Sequence, residues 1–156
     1  NTTGGNNTAT GYNSLSSNTT GDNNIATGRE ALSANTTGSS NIAIGYGAGD
    51  VITTGDYNTA LGYGANVSAG NLTNATAIGN GAVVSASNTI QLGNTSVTSV
   101  VTSGTFTGEA FKVNSLQTAP SSAAATGTAG EIRYTADYIY VCIATNTWVR
   151  SALATW

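Results

Sequence analysis

Asn24-Ile-Ala26-Thr-Gly28, Asn41-Ile-Ala43-Ile-Gly45 and Asn58-Thr-Ala60-Leu-Gly62 are three copies of one pentapeptide, with Asn7-Thr-Ala9-Thr-Gly11 before them and Asn74-Ala-Thr-Ala77-Ile-Gly79 after. The alanines stand at 9, 26, 43, 60 and 77 and the glycines at 11, 28, 45, 62 and 79, so each set recurs at one constant interval. Half a unit away, Thr-Thr-Gly ends at Gly4, Gly21, Gly38 and Gly55, so each unit has two turn points. A short fixed period means a stacked solenoid, in which no unit buries its apolar side alone and each is completed by its neighbours.

Within a unit, Ile25-Ala26-Thr27 or Ile42-Ala43-Ile44 predicts a very short strand whose alanine faces one way and whose neighbours face the other. After the glycine, a second small residue recurs at Ser14, Ala31, Ala48, Ala65 and Ala82, which predicts a second short strand beyond the turn. Coils stacked at ~4.8 Å would give a rod of roughly 25–30 Å with identical residues aligned along it. The asparagines at 7, 24, 41 and 58 should form one such ladder, bonded to each other and to turn backbone, with a carbohydrate contact as the other reading. Triplets such as Asn18-Thr-Thr20, Asn35-Thr-Thr37 and Asn71-Leu-Thr73 arise by chance in a chain this rich in Asn and Thr, and are not read as glycosylation sites. The step from Gly79 to Gly93 is shorter than the one from Gly62 to Gly79 by the length of a Thr-Thr-Gly element. The short form is therefore the basic coil, and the earlier units carry that element as a bulge or longer turn.

The composition of the 156 residues fits this reading. Charged residues are 7%, against about a quarter in ordinary domains, and most apolar residues are alanine, too small to fill a globular interior. Four basic residues and a net charge of −3 cannot supply a nucleic-acid footprint. No apolar run approaches the ~20 residues that span a bilayer, and Asn1-Thr-Thr-Gly4 lacks signal-peptide features. Because that opening is already in phase with Asn18-Thr-Thr-Gly21, the chain is expected to be the distal piece of something longer.

Catalytic chemistry has few carriers. Histidine is absent, and the carboxylates Asp22, Glu30, Asp50, Asp56, Glu109, Glu131 and Asp137 show no glycosidase-like pairing. Asp22 and Asp56 hold equivalent places two coils apart, roughly 10 Å, too far to share one calcium ion. Cys142, the single cysteine, reads as a packed structural thiol, against a reactive or intermolecular one. No enzyme, cofactor or metal site is expected. Tyr12, Arg29, Tyr46 and Tyr63 follow the coil glycine in successive units and should form a surface column, either a self-stacked ladder or a shallow platform for a glycan or receptor.

The pattern Asn-X-Ala-Ile-Gly, as in Asn41-Ile-Ala-Ile-Gly45 and Thr76-Ala-Ile-Gly-Asn-Gly-Ala82, closing with Asn88-Thr-Ile-Gln-Leu-Gly-Asn94, resembles the head repeats of trimeric autotransporter adhesins and of related phage tail fibres. The resemblance covers about residues 6–94 and implies a left-handed parallel β-roll with three chains side by side. After Asn94 the chain departs from those adhesins. No heptad stalk follows; Val97, Val100, Val101, Phe106 and Phe111 stand among Thr, Ser and Gly and suggest an extended segment intertwined between three chains.

Aromatics then concentrate near the C-terminus. Gly-Glu131-Ile-Arg133-Tyr134, a turn at Thr135-Ala-Asp137, Tyr138-Ile-Tyr140-Val-Cys-Ile-Ala144, a turn at Thr145-Asn-Thr147 and Trp148-Val-Arg150 predict a small β-meander, too short to fold alone. This order is similar to C-terminal trimerisation modules of phage fibres, including the fibritin foldon type. It implies that Glu131, Arg133, Tyr134, Asp137, Tyr138, Tyr140, Trp148, Arg150 and Trp156 hold three chains together.

The expected organisation is all-β: a β-roll repeat domain over 1–94, an intertwined segment over 95–113, a linker over 114–130 and a trimerisation meander over 131–156. The expected function is attachment to a cell-surface glycan or protein receptor by a homotrimeric extracellular fibre, a phage or phage-like tail fibre. A chain ending at Trp156 fits a fibre end better than an autotransporter. The alternatives are a bacterial surface adhesin fragment and a purely structural spacer or folding module.

Overall fold

The computed structural model describes residues 1–97, 99–101, 103, 119–127, 129 and 131–153. The chain divides into two units, Asn1–Val101 and Thr102–Trp156. Most of the segment read as intertwined, including Phe106 and Phe111, lies outside the described residues, as do 114–118 of the linker and Trp156.

The first unit is a parallel β-solenoid. Its strands are β1 (Thr8–Thr10), β2 (Ile25–Thr27), β3 (Ile42–Ile44), β4 (Thr59–Leu61), β5 (Asn66–Val67), β6 (Ala75–Ile78), β7 (Val83–Val84) and β8 (Thr89–Leu92). One sheet runs β1-β2-β3-β4-β6-β8, all parallel, with Ala9, Ala26, Ala43, Ala60 and Ala77 in register. The last pairing sets Ala77 opposite Gln91, a shorter step than the one from Ala60 to Ala77. The short coil read from the sequence is therefore a full rung of the stack. From β2 to β4 the middle alanine is buried and the last residue of each strand is exposed, as a period of two requires.

The glycine after each strand is compelled twice. Gly28 has φ 134°, outside the range of L-side chains, and a Cβ there would collide with the Gly45 carbonyl. The second strand expected in every coil forms only as β5 and β7, which pair with each other. In the first three coils that place is a turn, because Leu15 (φ 53°), Leu32 (φ 49°) and Gly49 (φ 62°) are left-handed. A left-handed residue reverses the chain and ends any strand.

Two asparagine ladders hold the stack. Asn24, Asn41 and Asn58 are buried. Asn7 Oδ1 accepts the Asn24 N–H at 2.8 Å, Asn24 Oδ1 the Asn41 N–H at 2.9 Å and Asn41 Oδ1 the Asn58 N–H at 2.9 Å. Meanwhile Nδ2 of Asn24 and Asn41 donates to Gly38 and Gly55 carbonyls, each at 2.8 Å. These bonds run to backbone, with none between amides of this column. The amide-to-amide ladder is a second column: Asn18 Nδ2 donates to Asn1 Oδ1 at 3.1 Å and Asn35 Nδ2 to Asn18 Oδ1 at 2.9 Å. It stops at Ile52, also fully buried, and Asn35 Oδ1 is consequently the one buried side-chain polar atom without a partner among the described residues. Burial of Asn18 and Asn35 leaves neither amide open to a glycan.

The second unit contains an antiparallel sheet of β9 (Ile132–Tyr134), β10 (Tyr138–Ala144) and β11 (Thr147–Ala152), in the order β11-β10-β9. Asn146, at φ 57°, supplies the left-handed residue of the β10–β11 turn. Residues 119–127, inside the stretch read as a linker, pack on this sheet as a strap. Trp148 N–H donates to Ala123 O at 2.9 Å, Asn146 N–H to Gly127 O at 3.0 Å, and the Trp148 indole N–H to Ala125 O at 2.9 Å. Gly127 lies so close to the Trp148 ring that any Cβ would overlap it. Tyr140, Cys142 and Trp148 form the small core beneath.

Candidate functional site

Each residue of the surface column follows a left-handed coil glycine, so each side chain leaves the stack at the same angle, one rung above the last. The Arg29 guanidinium lies 5.7 Å from the Tyr12 ring centre and 5.5 Å from that of Tyr46, and Tyr46 stacks on Tyr63 at 5.2 Å with planes 12° apart. The structure thus brings Tyr12, Arg29, Tyr46 and Tyr63 together. Arg29 and Tyr46 have column neighbours on both sides, while the end residues Tyr12 and Tyr63 stay 68% and 61% exposed. Arg29 also pairs with neighbouring Glu30 at 3.2 Å, an exposed contact of little energetic weight.

Asp22 and Asp56 serve backbone. Asp22 Oδ1 accepts the Gly5 N–H at 2.5 Å, and Asp56 Oδ1 accepts the Ser39 N–H at 2.7 Å.

A larger surface comes from the outward positions of the solenoid sheet. Ile25, Ile42, Ile44, Leu61, Ile78, Ile90 and Leu92 lie side by side on it, each between 38% and 67% exposed. Contiguous apolar surface of a few hundred Å² or more marks association. The sequence showed these residues only as the partners of inward alanines. Their alignment into one face needed the register.

In the meander, Arg133 meets Glu131 at 2.6 Å and lies 4.7 Å over the Trp148 ring, while Arg150 lies 4.6 Å over Tyr138. Tyr138 and Tyr140 are tilted neighbours at 6.0 Å. No ion pair between Arg150 and Asp137 is found among the described residues. The carbonyl of Asp137 accepts the Leu153 N–H at 2.7 Å. Trp148 is only 5% exposed and Tyr140 only 8%, because their own chain's strap covers them. The alternation of β10 sends Ile139, Val141 and Ile143 to the opposite face, where Ile132 and Val149 join them and where Ile132, Ile139, Ile143 and Val149 are exposed. Sequence reasoning, drawn to the aromatics, missed this second apolar face, although the period of two in 138–144 contained it.

Cys142 is fully buried, and its Sγ lies 3.1 Å from the Ala144 carbonyl, as the structural reading expected. Among the described residues no helix is long and apolar enough to cross a membrane. No family model, curated protein or solved structure matches the chain at a significant level.

Proposed function

We propose that this chain is a segment of a homotrimeric extracellular fibre, of phage or phage-like tail-fibre type, that attaches to a cell surface, with left-handed coils laid side by side in the three copies. The observation that carries the reading is the apolar sheet face from Ile25 to Leu92, which a single chain leaves to water. Symmetric copies would bury it. Stiffness follows from rungs locked by asparagine ladders, and binding without turnover follows from the shortage of acid, base and nucleophile groups. Three copies would make any weak site trivalent, raising avidity without new contacts. The self-stacking of the Tyr12–Tyr63 column favours a second reading, a structural spacer.

Light scattering with size exclusion tests the assembly. The full chain should run at roughly 45–50 kDa, three times its 15.5 kDa, and Ile44→Asp with Leu61→Asp should return it to monomer with an unchanged far-ultraviolet spectrum. A monomeric parent chain sinks the fibre. Retention of the labelled trimer on intact cells tests attachment.

A further inference from the structure

Between the strap and the edge of β11 lies a cavity of about 360 Å³, lined by Pro120, Ser121, Ser122, Ala123, Tyr140, Trp148, Val149 and Arg150. That is the small end of the ~300–1,000 Å³ range of ligand sites. Its chemistry is mixed in a particular way. Pro120, Tyr140 and Trp148 give apolar wall, two serines give hydroxyls, and Arg150 gives one positive charge. Ser122 Oγ accepts the Ala124 N–H at 3.3 Å, leaving its own proton for a ligand oxygen. Arg29 and Arg133 each hold a carboxylate, Glu30 and Glu131. Arg150 is exposed and, among the described residues, has no carboxylate partner, only the Tyr138 ring beneath it.

We infer that this cavity binds a sugar acid, a pyranose ring carrying one carboxylate. A pyranose has one apolar face for the wall, hydroxyls for the serines, and here a carboxylate for the Arg150 fork, which presents paired N–H donors to two oxygens. A peptide strand fits less well. Where the strap runs, the N–H groups of Trp148 and Asn146 already donate to Ala123 and Gly127, so a strand could pair only beyond it. One guanidinium in a chain of net charge −3 does not suit a polyphosphate. The inference rests on the attachment reading for its biological role, and on the cavity alone for its chemistry.

Calorimetric titration of the full chain with sialic-acid-terminated and glucuronate-terminated oligosaccharides, and with the same sugars after reduction of the carboxyl to an alcohol, tests it. The acids should bind about 10- to 100-fold tighter than the alcohols, and Arg150→Gln should abolish that difference while Arg150→Lys keeps part of it. Should Arg150→Gln fail to fold, the Trp148 indole N–H resonance of the parent chain decides, since an acidic sugar should shift it and a reduced one should not. Equal binding of acid and alcohol, no binding of either, or shifts confined to Tyr12, Tyr46 and Tyr63 overturn the assignment. A chain that adheres to cells but ignores sugar acids loses only this inference. One that binds sugar acids through Arg150 but does not adhere loses only the attachment reading.

Discussion

The solenoid and the meander reach buried cores by opposite means. From Asn7 to Gly93 the interior is built of alanines, a few larger aliphatics and hydrogen-bonded asparagines, with most contacts repeated on the next rung. The meander has no repetition and relies on Tyr140, Cys142 and Trp148 under a strap. A repeated core needs no large side chain, because its closeness comes from hydrogen-bond spacing. A single small sheet must find its contact area in aromatics. Failure should differ accordingly: polar errors should break the first and lost volume the second.

Asn41→Leu should have the largest effect. It strips the Gly55 carbonyl of its donor and the Asn58 N–H of its acceptor, two buried losses worth about 3–5 kcal/mol together. Both tryptophans lie beyond residue 130, so fluorescence follows the second unit while far-ultraviolet dichroism follows mostly the solenoid. In urea the dichroism midpoint should fall and the fluorescence midpoint stay. Trp148→Ala should do the reverse, destabilising the meander by about 3–4 kcal/mol, read from the near-ultraviolet dichroism of Tyr138 and Tyr140, tilted neighbours at 6.0 Å. If either substitution moves both transitions alike, the contrast between the two cores is lost.

A subtler test sits at the seam of the second ladder. Ile52→Asn trades buried aliphatic surface for a partner to Asn35 Oδ1 and should be destabilising alone, yet a double-mutant cycle with Asn35→Ala should show a favourable coupling of about 1 kcal/mol. Zero coupling would mean that the two columns are not aligned as described. The smallest effect belongs to Tyr46→Ala, which interrupts an exposed stack and should lower the solenoid stability by about 1 kcal/mol or less.

Much of this was legible in the residues. The period placed every rung of the main sheet, the short coil that closes at Gly93 and the surface column, because a constant spacing sets Ala26, Ala43 and Ala60 opposite one another once consecutive coils stack. Handing the second half of each coil to a strand was wrong for the first three coils, since Leu15 and Leu32 carry no sequence mark of a left-handed backbone. The column of Asn1, Asn18 and Asn35 was hidden inside Asn-Thr-Thr triplets that looked incidental. In the meander the aromatics drew attention to a core that the chain closes for itself. The apolar face opposite depends on Ile139 and Ile143, which are ordinary in type and telling only by alternation.

The unequal rungs have one more consequence, for how the chain finds its own arrangement. In a perfectly repeated sequence, any coil could settle on the wrong neighbour with every bond satisfied, and misaligned forms would compete with the native one. Here a slip by one repeat moves Arg29 out from between Tyr12 and Tyr46, while the short coil between Gly79 and Gly93 has only one rung it can complete. Imperfection gives each rung an address, and the alternatives are separated in energy before folding is complete.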